Sequence, residues 1–281
     1  MSGELFLAAT PIGNLLDLTP RVSAALAECD FVAAEDTRVT IKILSHLGLK
    51  KELVSYHQNS DRSRAPYILD RIEQGESCVL CCDAGTPAIS DPGEEIVRLA
   101  AERGVRVTPL PGSCAAITAL CASGLETGRF CFEGFLTQNR RSRRERLQEL
   151  KGERRTLIFY EAPHKLRATL ADMYEAFGNR RITLARELTK IHEEFVRTDL
   201  ESANRLYQDE LPRGEFVLVV EGDKTEAESP DYSENDILEL VNQHLESGLK
   251  PSEACRRAAA EAGADRQEVY RLYINSKEDG R

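Results

Sequence analysis

The chain has 281 residues, enough for about two domains of ordinary size, and its 41% hydrophobic content supports a real core. No run approaches ~18 consecutive apolar residues, and the opening MSGELFLAATPIGN lacks a secretory pattern, so no helical membrane span and a cytoplasmic location are expected. The formal net charge of −10 argues against nucleic acid as a partner on average, although binding follows local patches.

Short apolar runs alternate with longer amphipathic ones. Leu5–Thr10 reads as a strand ending at Pro11-Ile12-Gly13-Asn14, and Thr19-Pro20 opens a helix as N-cap and first helical residue. Asp30–Ala34 reads as a strand running into Glu35-Asp36-Thr37-Arg38. The helix Ile41–Leu47 stops at Gly48. Glu52–Tyr56, Ser77–Cys82 and Val105–Leu110 read as further strands, separated by helices over Arg62–Gln74 and Gly93–Arg103. Asp91 is the expected N-cap of the second of these, and Pro111-Gly112-Ser113 opens another helix to Ala122. This alternation predicts an α/β domain with a largely parallel sheet over residues 1–125.

From Phe130 the rhythm changes. Strands at Phe130–Leu136, Arg155–Tyr160, Ile182–Leu188, Glu194–Thr198 and Glu215–Glu221 accompany helices at Arg140–Leu150 and Pro163–Phe177. A second, more antiparallel α/β domain is expected over 126–222. Gly222–Ser233 is polar and acidic and reads as a linker. Helices follow at Glu234–Leu245, Ser252–Ala262 and Arg266–Ile274. Gly263-Ala264-Asp265 joins the last two in the manner of a helix-turn-helix. The unit 234–278 reads either as a nucleic-acid contact or as a plain helical cap.

Ligands of parallel α/β sheets bind beyond the carboxyl ends of the strands. The segments there are PIGN (11–14), EDTR (35–38), YHQN (56–59), DAGTPAISDPG (83–93) and PLPGS (109–113). Three of them are rich in glycine and proline, which expose backbone and fix turns, so the ligand is expected to meet main-chain groups. No GxxxxGK[ST] and no GxGxxG follows the first strand, which disfavours nucleoside-triphosphate and dinucleotide readings. Cys78, Cys81 and Cys82 form a CxxC inside a strand with no second close pair. They read as small core residues, so neither a disulfide framework nor a metal is expected.

TPIGN (10–14), AAEDTR (33–38), DAGTPAISDPG (83–93), PLPGSCAAITAL (109–120), FEGFL (132–136), LIFYEAPHKL (157–166) and ARELTK (185–190) occur in that order. In these motifs the chain resembles the ribosomal RNA small subunit methyltransferase I family of the tetrapyrrole methylase superfamily, over essentially its whole length. The resemblance implies two α/β domains with a cofactor cleft between them and a small C-terminal helical unit. It implies S-adenosylmethionine-dependent 2′-O-ribose methylation of a cytidine in the decoding centre of 16S rRNA, within the 30S subunit, by a homodimer that uses no metal. Carried over by position, the cofactor would meet Pro11, Ile12, Gly13, Asp83, Ala84, Gly85, Thr86, Pro87, Ile89, Ser113, Ala115, Ala116, Tyr160, Ala185 and Gly214. The chain departs from the family pattern at Ser113, where members often carry proline. It departs again at Tyr56-His57-Gln58-Asn59, where many carry His-Glu-His-Asn.

A ribose hydroxyl attacks a sulfonium methyl more readily when a base accepts its proton. Glu35, Asp36, His57, Glu161, Glu187 and Lys190 are the candidates. Glu35 and Asp36 are favoured as the acidic centre, with Arg38 on a phosphate. The plainer roles are a helix cap for Asp36, a pair with it for Arg38, and an ion pair between Glu187 and Lys190. Residues 138–155 hold seven arginines and one lysine against three glutamates, a concentrated basic segment in an acidic chain. Arg140, Arg141, Arg143 and Arg144 are the expected rRNA phosphate ligands, against the plainer reading of a solvated helix face. Arg256, Arg257, Arg266 and Arg271 would add to them. Two alternatives stay open: a methyltransferase acting on a tetrapyrrole such as a cobalamin precursor, and a non-catalytic RNA-binding assembly factor.

Overall fold

The computed structural model describes residues 3–57, 60–61, 63–208, 212–225 and 232–278. Gln58, Asn59, Arg62 and the middle of the expected linker, 226–231, lie outside the described residues. The chain divides into two units, Met1–Asp223 and Lys224–Arg281.

The larger unit holds two five-stranded sheets. The first is all parallel, in the order β3-β2-β4-β1-β5, from β1 (Leu5–Ala8), β2 (Phe31–Ala34), β3 (Glu52–Ser55), β4 (Cys78–Cys81) and β5 (Val107–Leu110). Central strands covered on both faces must be apolar throughout, and β2 and β4 are buried at every residue. The connecting helices are α1 (Pro20–Glu28), α2 (Thr37–His46), α3 (Arg64–Glu73), α4 (Glu94–Glu102) and α5 (Ala115–Ser123). Thr19 caps α1 through Val22 N–H, with Pro20 in its first turn. All eight cysteines are free, and Cys78, Cys81 and Cys82 are buried in and just after β4.

The second sheet runs β6-β7-β10-β8-β9, from β6 (Phe130–Phe135), β7 (Thr156–Glu161), β8 (Arg181–Arg186), β9 (Glu194–Asp199) and β10 (Phe216–Val220). Only β6 and β7 are parallel; the remaining pairs are antiparallel. One face carries α6 (Arg140–Glu149), α7 (Pro163–Phe177) and α8 (Leu200–Leu206) over a core that includes Phe159, Leu166, Leu170, Met173, Leu184 and Leu218. Each such side chain, fully buried, contributes about 1.5–3 kcal/mol. Its other face is closed by α5, whose Ala116, Ala119 and Leu120 pack on Ile158, Ala185, Val217 and Val219. Thus α5 follows a strand of the first sheet but buries itself against the second. Helix α8 has no counterpart in the sequence reading: two turns in a polar run are too short to show a period. Asp199 caps it through Ser202 N–H.

The smaller unit is α9 (Glu234–Glu246), α10 (Pro251–Ala262) and α11 (Arg266–Glu278). Its core is built from Ile237, Val241, Ala254, Cys255, Ala258 and Val269. Ser233 and Asp236 form a capping box at α9. Gly263, at φ +65°, ends α10, and Asp265 Oδ1 accepts from Gln267 and Glu268 N–H at the start of α11. No helix among the described residues is long and apolar enough to cross a membrane.

Candidate active site

The carboxyl ends of β1, β2 and β4 are sewn together by short polar contacts. Thr10 N–H donates to Gly85 C=O at 2.8 Å and Gly85 N–H to Thr10 C=O at 3.0 Å. This reciprocal pair holds Gly85 at φ +86°, a conformation that costs other residues strain. Asp36 N–H donates to Asp83 Oδ1 at 3.0 Å, and Asp83 N–H donates to Glu35 Oε2 at 3.3 Å. Thr86 Oγ1 donates to Ser113 C=O at 3.1 Å, tying in the loop before α5. Ala88 and Ser90 both have positive φ, +68° and +63°. Such non-glycine conformations persist where surrounding structure over-determines them, often at functional sites.

These loops wall a cavity of about 500 Å³, within the range of small-molecule sites. Ile12, Asp83, Ala84, Gly85, Thr86, Ile89 and Ala115 line it from the first sheet and α5, and Tyr160 and Ala185 from the second. Glu35 lines it as well. Tyr160 is fixed by two edge-to-face rings, Phe132 at 5.0 Å and Phe135 at 5.4 Å, and its hydroxyl accepts from Ala116 N–H at 3.2 Å. Ala116 therefore serves the site through its amide, while its side chain is buried. Sequence reasoning missed Asp91, Phe135, Leu188, Glu215 and Val217 on the wall. Phe135 lies in the quoted FEGFL run, which was the available signal.

Other expected residues stand behind the wall. Pro11, Gly13, Pro87 and Ser113 are not among the lining residues. Gly13 backs onto the turn after β8, where an added Cβ would lie 2.5 Å from Lys190 Cγ and 2.8 Å from Thr189 Oγ1. Gly214 requires correction. It faces a separate depression with Arg186, Glu187 and His192, and a Cβ there would meet Glu187 Cγ at 2.5 Å. Its φ of +84° turns the chain so that Glu215 N–H reaches Glu187 Oε1 at 3.0 Å. A second correction concerns Asp91: the residue before α4 is Gly93, at φ +143°, and no side chain caps that helix. Asp91 is turned into the cavity instead.

The candidate bases separate by their partners. Asp36 caps α2 through Arg38 N–H, and hydrogen bonds from Arg38 hold its carboxyl down at about 2. Arg38 is thereby committed to Asp36, at 2.6 Å, although its side chain is largely exposed. Glu161, on the cavity wall, accepts from Ala162 N–H, Thr169 Oγ1 and Lys165 Nζ. Glu187 is paired with Lys190 at 2.9 Å, whose ammonium holds it below its usual range. Glu35 and Asp91 remain, both facing the cavity. Burial raises Glu35 above the usual carboxylate range, and burial, then the Glu35 charge, pushes Asp91 up to about 6. Carboxylates Glu35, Asp83, Asp91, Glu161 and Glu215 stand on this wall with no lysine or arginine among its lining residues, although Lys165 and Lys190 reach Glu161 and Glu215 from behind it. A cationic guest with apolar surface suits such a lining. Among the described residues no cluster of histidine, cysteine and carboxylate is arranged to hold a metal.

The basic helix α6 is less free than its sequence suggests. Arg143, expected at a phosphate, is buried, and it donates from Nε and Nη2 to Asp172 Oδ2 at 2.8 and 2.6 Å. The register of α6 turns position 143 inward with Leu147, toward α7. Arg144 also reaches Asp172, at 2.8 Å, and pairs with Glu175. Arg140 and Arg141 are the exposed members, Arg141 joined to Glu145 across one turn.

The family model for tetrapyrrole (corrin/porphyrin) methylases matches residues 4–204. A Ribosomal RNA small subunit methyltransferase I of Synechocystis sp. is 44% identical over 279 residues, covering 99% of this chain and 100% of that protein. The protein of the same name in Pseudomonas aeruginosa is 47% identical over 224 residues, 79% of each chain. Two solved structures share the fold. A uroporphyrin-III C-methyl transferase from Thermus thermophilus, complexed with S-adenyl homocysteine, has a TM-score of 0.54 at 19% identity, over 77% of this chain and 97% of that one. A cobalamin biosynthetic enzyme, cobalt precorrin-4 methyltransferase, has a TM-score of 0.57 at 17% identity, over 78% and 94%. With relatives this similar over nearly its full length, the chain belongs to the ribosomal RNA small subunit methyltransferase I family, within the tetrapyrrole methylases.

Proposed function

We propose that this protein transfers a methyl group from S-adenosylmethionine to the 2′-oxygen of a cytidine in the 16S rRNA of the 30S subunit, acting in the cytoplasm as a homodimer. The observation that carries the reading is the acid-lined cavity free of lysine and arginine. It suits a ligand with a sulfonium and an ammonium charge, and the names of the relatives agree. The cofactor supplies an already activated methyl, so the protein's task is positioning and electrostatics. On this reading residues 1–125 and 126–222 are two lobes around the ligand, and 234–278 is a helical appendage. Main-chain groups of Asp83–Thr86 hold the donor, and Ile12, Ile89, Leu188 and Val217 cover its apolar parts. Tyr160, locked by Ala116, closes the side nearest the second sheet. Arg140 and Arg141 meet rRNA phosphates outside the cavity.

The test is transfer of labelled methyl groups from S-adenosylmethionine to 30S subunits lacking the modification, followed by ribose-methylation mapping. One labelled cytidine 2′-oxygen in 16S rRNA is expected. Tight cofactor binding without any label in rRNA removes the reading and favours a tetrapyrrole acceptor. Absence of cofactor binding favours an RNA-binding assembly factor.

A further inference from the structure

A second cavity, of about 480 Å³, also borders the Ala88–Gly93 loop. Tyr56, His57, Asp61 and Arg98 stand on its wall, and it shares Ser90 and Asp91 with the first cavity. Among the described residues these two are the ones common to both linings. A transferase needs two adjacent seats, one for the donor and one for the acceptor, with the reacting atoms meeting where the seats touch. Among the described residues its carboxylates are Asp61, Asp91, Glu94 and Glu95, and its basic groups are Arg98 and His57. Those carboxylates accept hydrogen bonds from ribose hydroxyls and from the exocyclic amine of cytosine, and His57 and Arg98 are available as donors to the nucleotide.

We infer that this second cavity seats the acceptor nucleoside and that Asp91, on the shared wall, takes the proton of its 2′-hydroxyl. The inference rests on the ribose-methylation reading above. In the step, the 2′-oxygen forms a bond to the methyl carbon and the carbon–sulfur bond breaks. The bonding pair passes to sulfur, which becomes a neutral thioether. The hydroxyl proton moves to the Asp91 carboxylate and from there to water. Glu35 is the nearest rival, but it lines the first cavity alone, and its Oε2 is engaged by Asp83 N–H. The groups facing Asp91 are Glu35 from the end of β2, Cys82 and Asp83 from the end of β4, and Tyr160 from β7. His57, Asp61, Glu94 and Glu95 stand around the second cavity. Burial and the Glu35 charge place the Asp91 carboxyl at about 6, so it is a competent acceptor at neutral pH and is lost as one below that value.

The experiment compares wild type, Asp91→Asn, Asp91→Glu and the double variant His57→Ala/Arg98→Ala. Cofactor affinity is measured by calorimetry, 30S affinity by equilibrium binding, and transfer by single-turnover labelling across pH. Asp91→Asn should bind 30S subunits within about threefold of wild type yet, with cofactor at saturating concentration, transfer at least about 100-fold more slowly. Asp91→Glu should recover part of the rate. The wild-type rate should fall about tenfold per pH unit below pH ~6, and that slope should be absent in Asp91→Asn. The double variant should lose about tenfold in 30S affinity with cofactor affinity unchanged, because it alters only the nucleoside seat. Transfer by Asp91→Asn within threefold of wild type overturns the proton-acceptor role. Unchanged 30S affinity in the double variant overturns the seat. Failure of wild type itself to label 30S overturns the methylation reading together with this inference.

Discussion

The first cavity and helix α6 are opposites in charge and in how that charge is handled. The cavity collects five carboxylates and leaves at least Glu35 and Asp91 without a cation directly bonded to them. Helix α6 and its flanks collect arginines and then neutralise many of them, Arg143 and Arg144 on Asp172, Arg146 on Glu133 and Glu149, and Arg155 on Glu153. Uncompensated charge costs folding free energy, so it persists where a ligand of opposite sign completes it. By that measure the cavity awaits a cation. Only the exposed outer edge of α6, at Arg140 and Arg141, has charge to offer a polyanion. The net charge of −10 averages over two regions that do opposite work.

The sharpest way to break the contrast is at the cavity floor. Gly85→Val puts a β-branched side chain at φ +86°, which forces the Thr10–Gly85 pair to give way. Cofactor affinity measured by calorimetry should fall more than about 100-fold with the fold intact by circular dichroism; binding within tenfold of wild type would show the loop is not the cofactor's backbone contact. Next in size is the buried end of the basic helix. Arg143→Ala leaves Asp172 with only Arg144 at 2.8 Å and Arg140 at 3.9 Å, both on Oδ1, and should destabilise the protein by about 3 kcal/mol in urea unfolding. A loss under 1 kcal/mol would mean that Arg143 is a spare surface charge. The smallest effect belongs to the outer edge. Replacing Arg140 and Arg141 with alanine should raise KM for 30S subunits severalfold and flatten the salt dependence of binding, with cofactor affinity unchanged. Unaltered KM and salt slope would assign RNA contact elsewhere.

Much of this architecture is legible in the chain because strands buried on both faces are written as unbroken apolar runs, as in Phe31–Ala34 and Cys78–Cys81. Helix starts are legible where a side chain caps, as at Thr19 and Asp36, and misleading where none does. Asp91 resembles a cap in sequence, yet the helix begins on Gly93 with no side-chain cap at all. The burial of Arg143 was hidden for a different reason. Four arginines in five residues carry no mark of which one turns inward. That depends on Asp172, 29 residues away on another helix. Gly214 shows the same limit, since its partner Glu187 comes from a different strand end. Strand-end loops can be located from one sequence, whereas the side chains that close a cavity from opposite walls are set by tertiary packing.

Gly13 gives the cavity a dimension that no lining residue supplies. Its missing side chain lets the loop after β1 lie directly on the turn after β8, with Lys190 and Thr189 where a methyl group would otherwise stand. The same Lys190 is anchored to Glu187 and to Glu215, the latter on the cavity wall. The glycine thus works as a spacer of zero thickness, a gauge block between the lobes. The width of the cavity is set in part by a residue that does not line it.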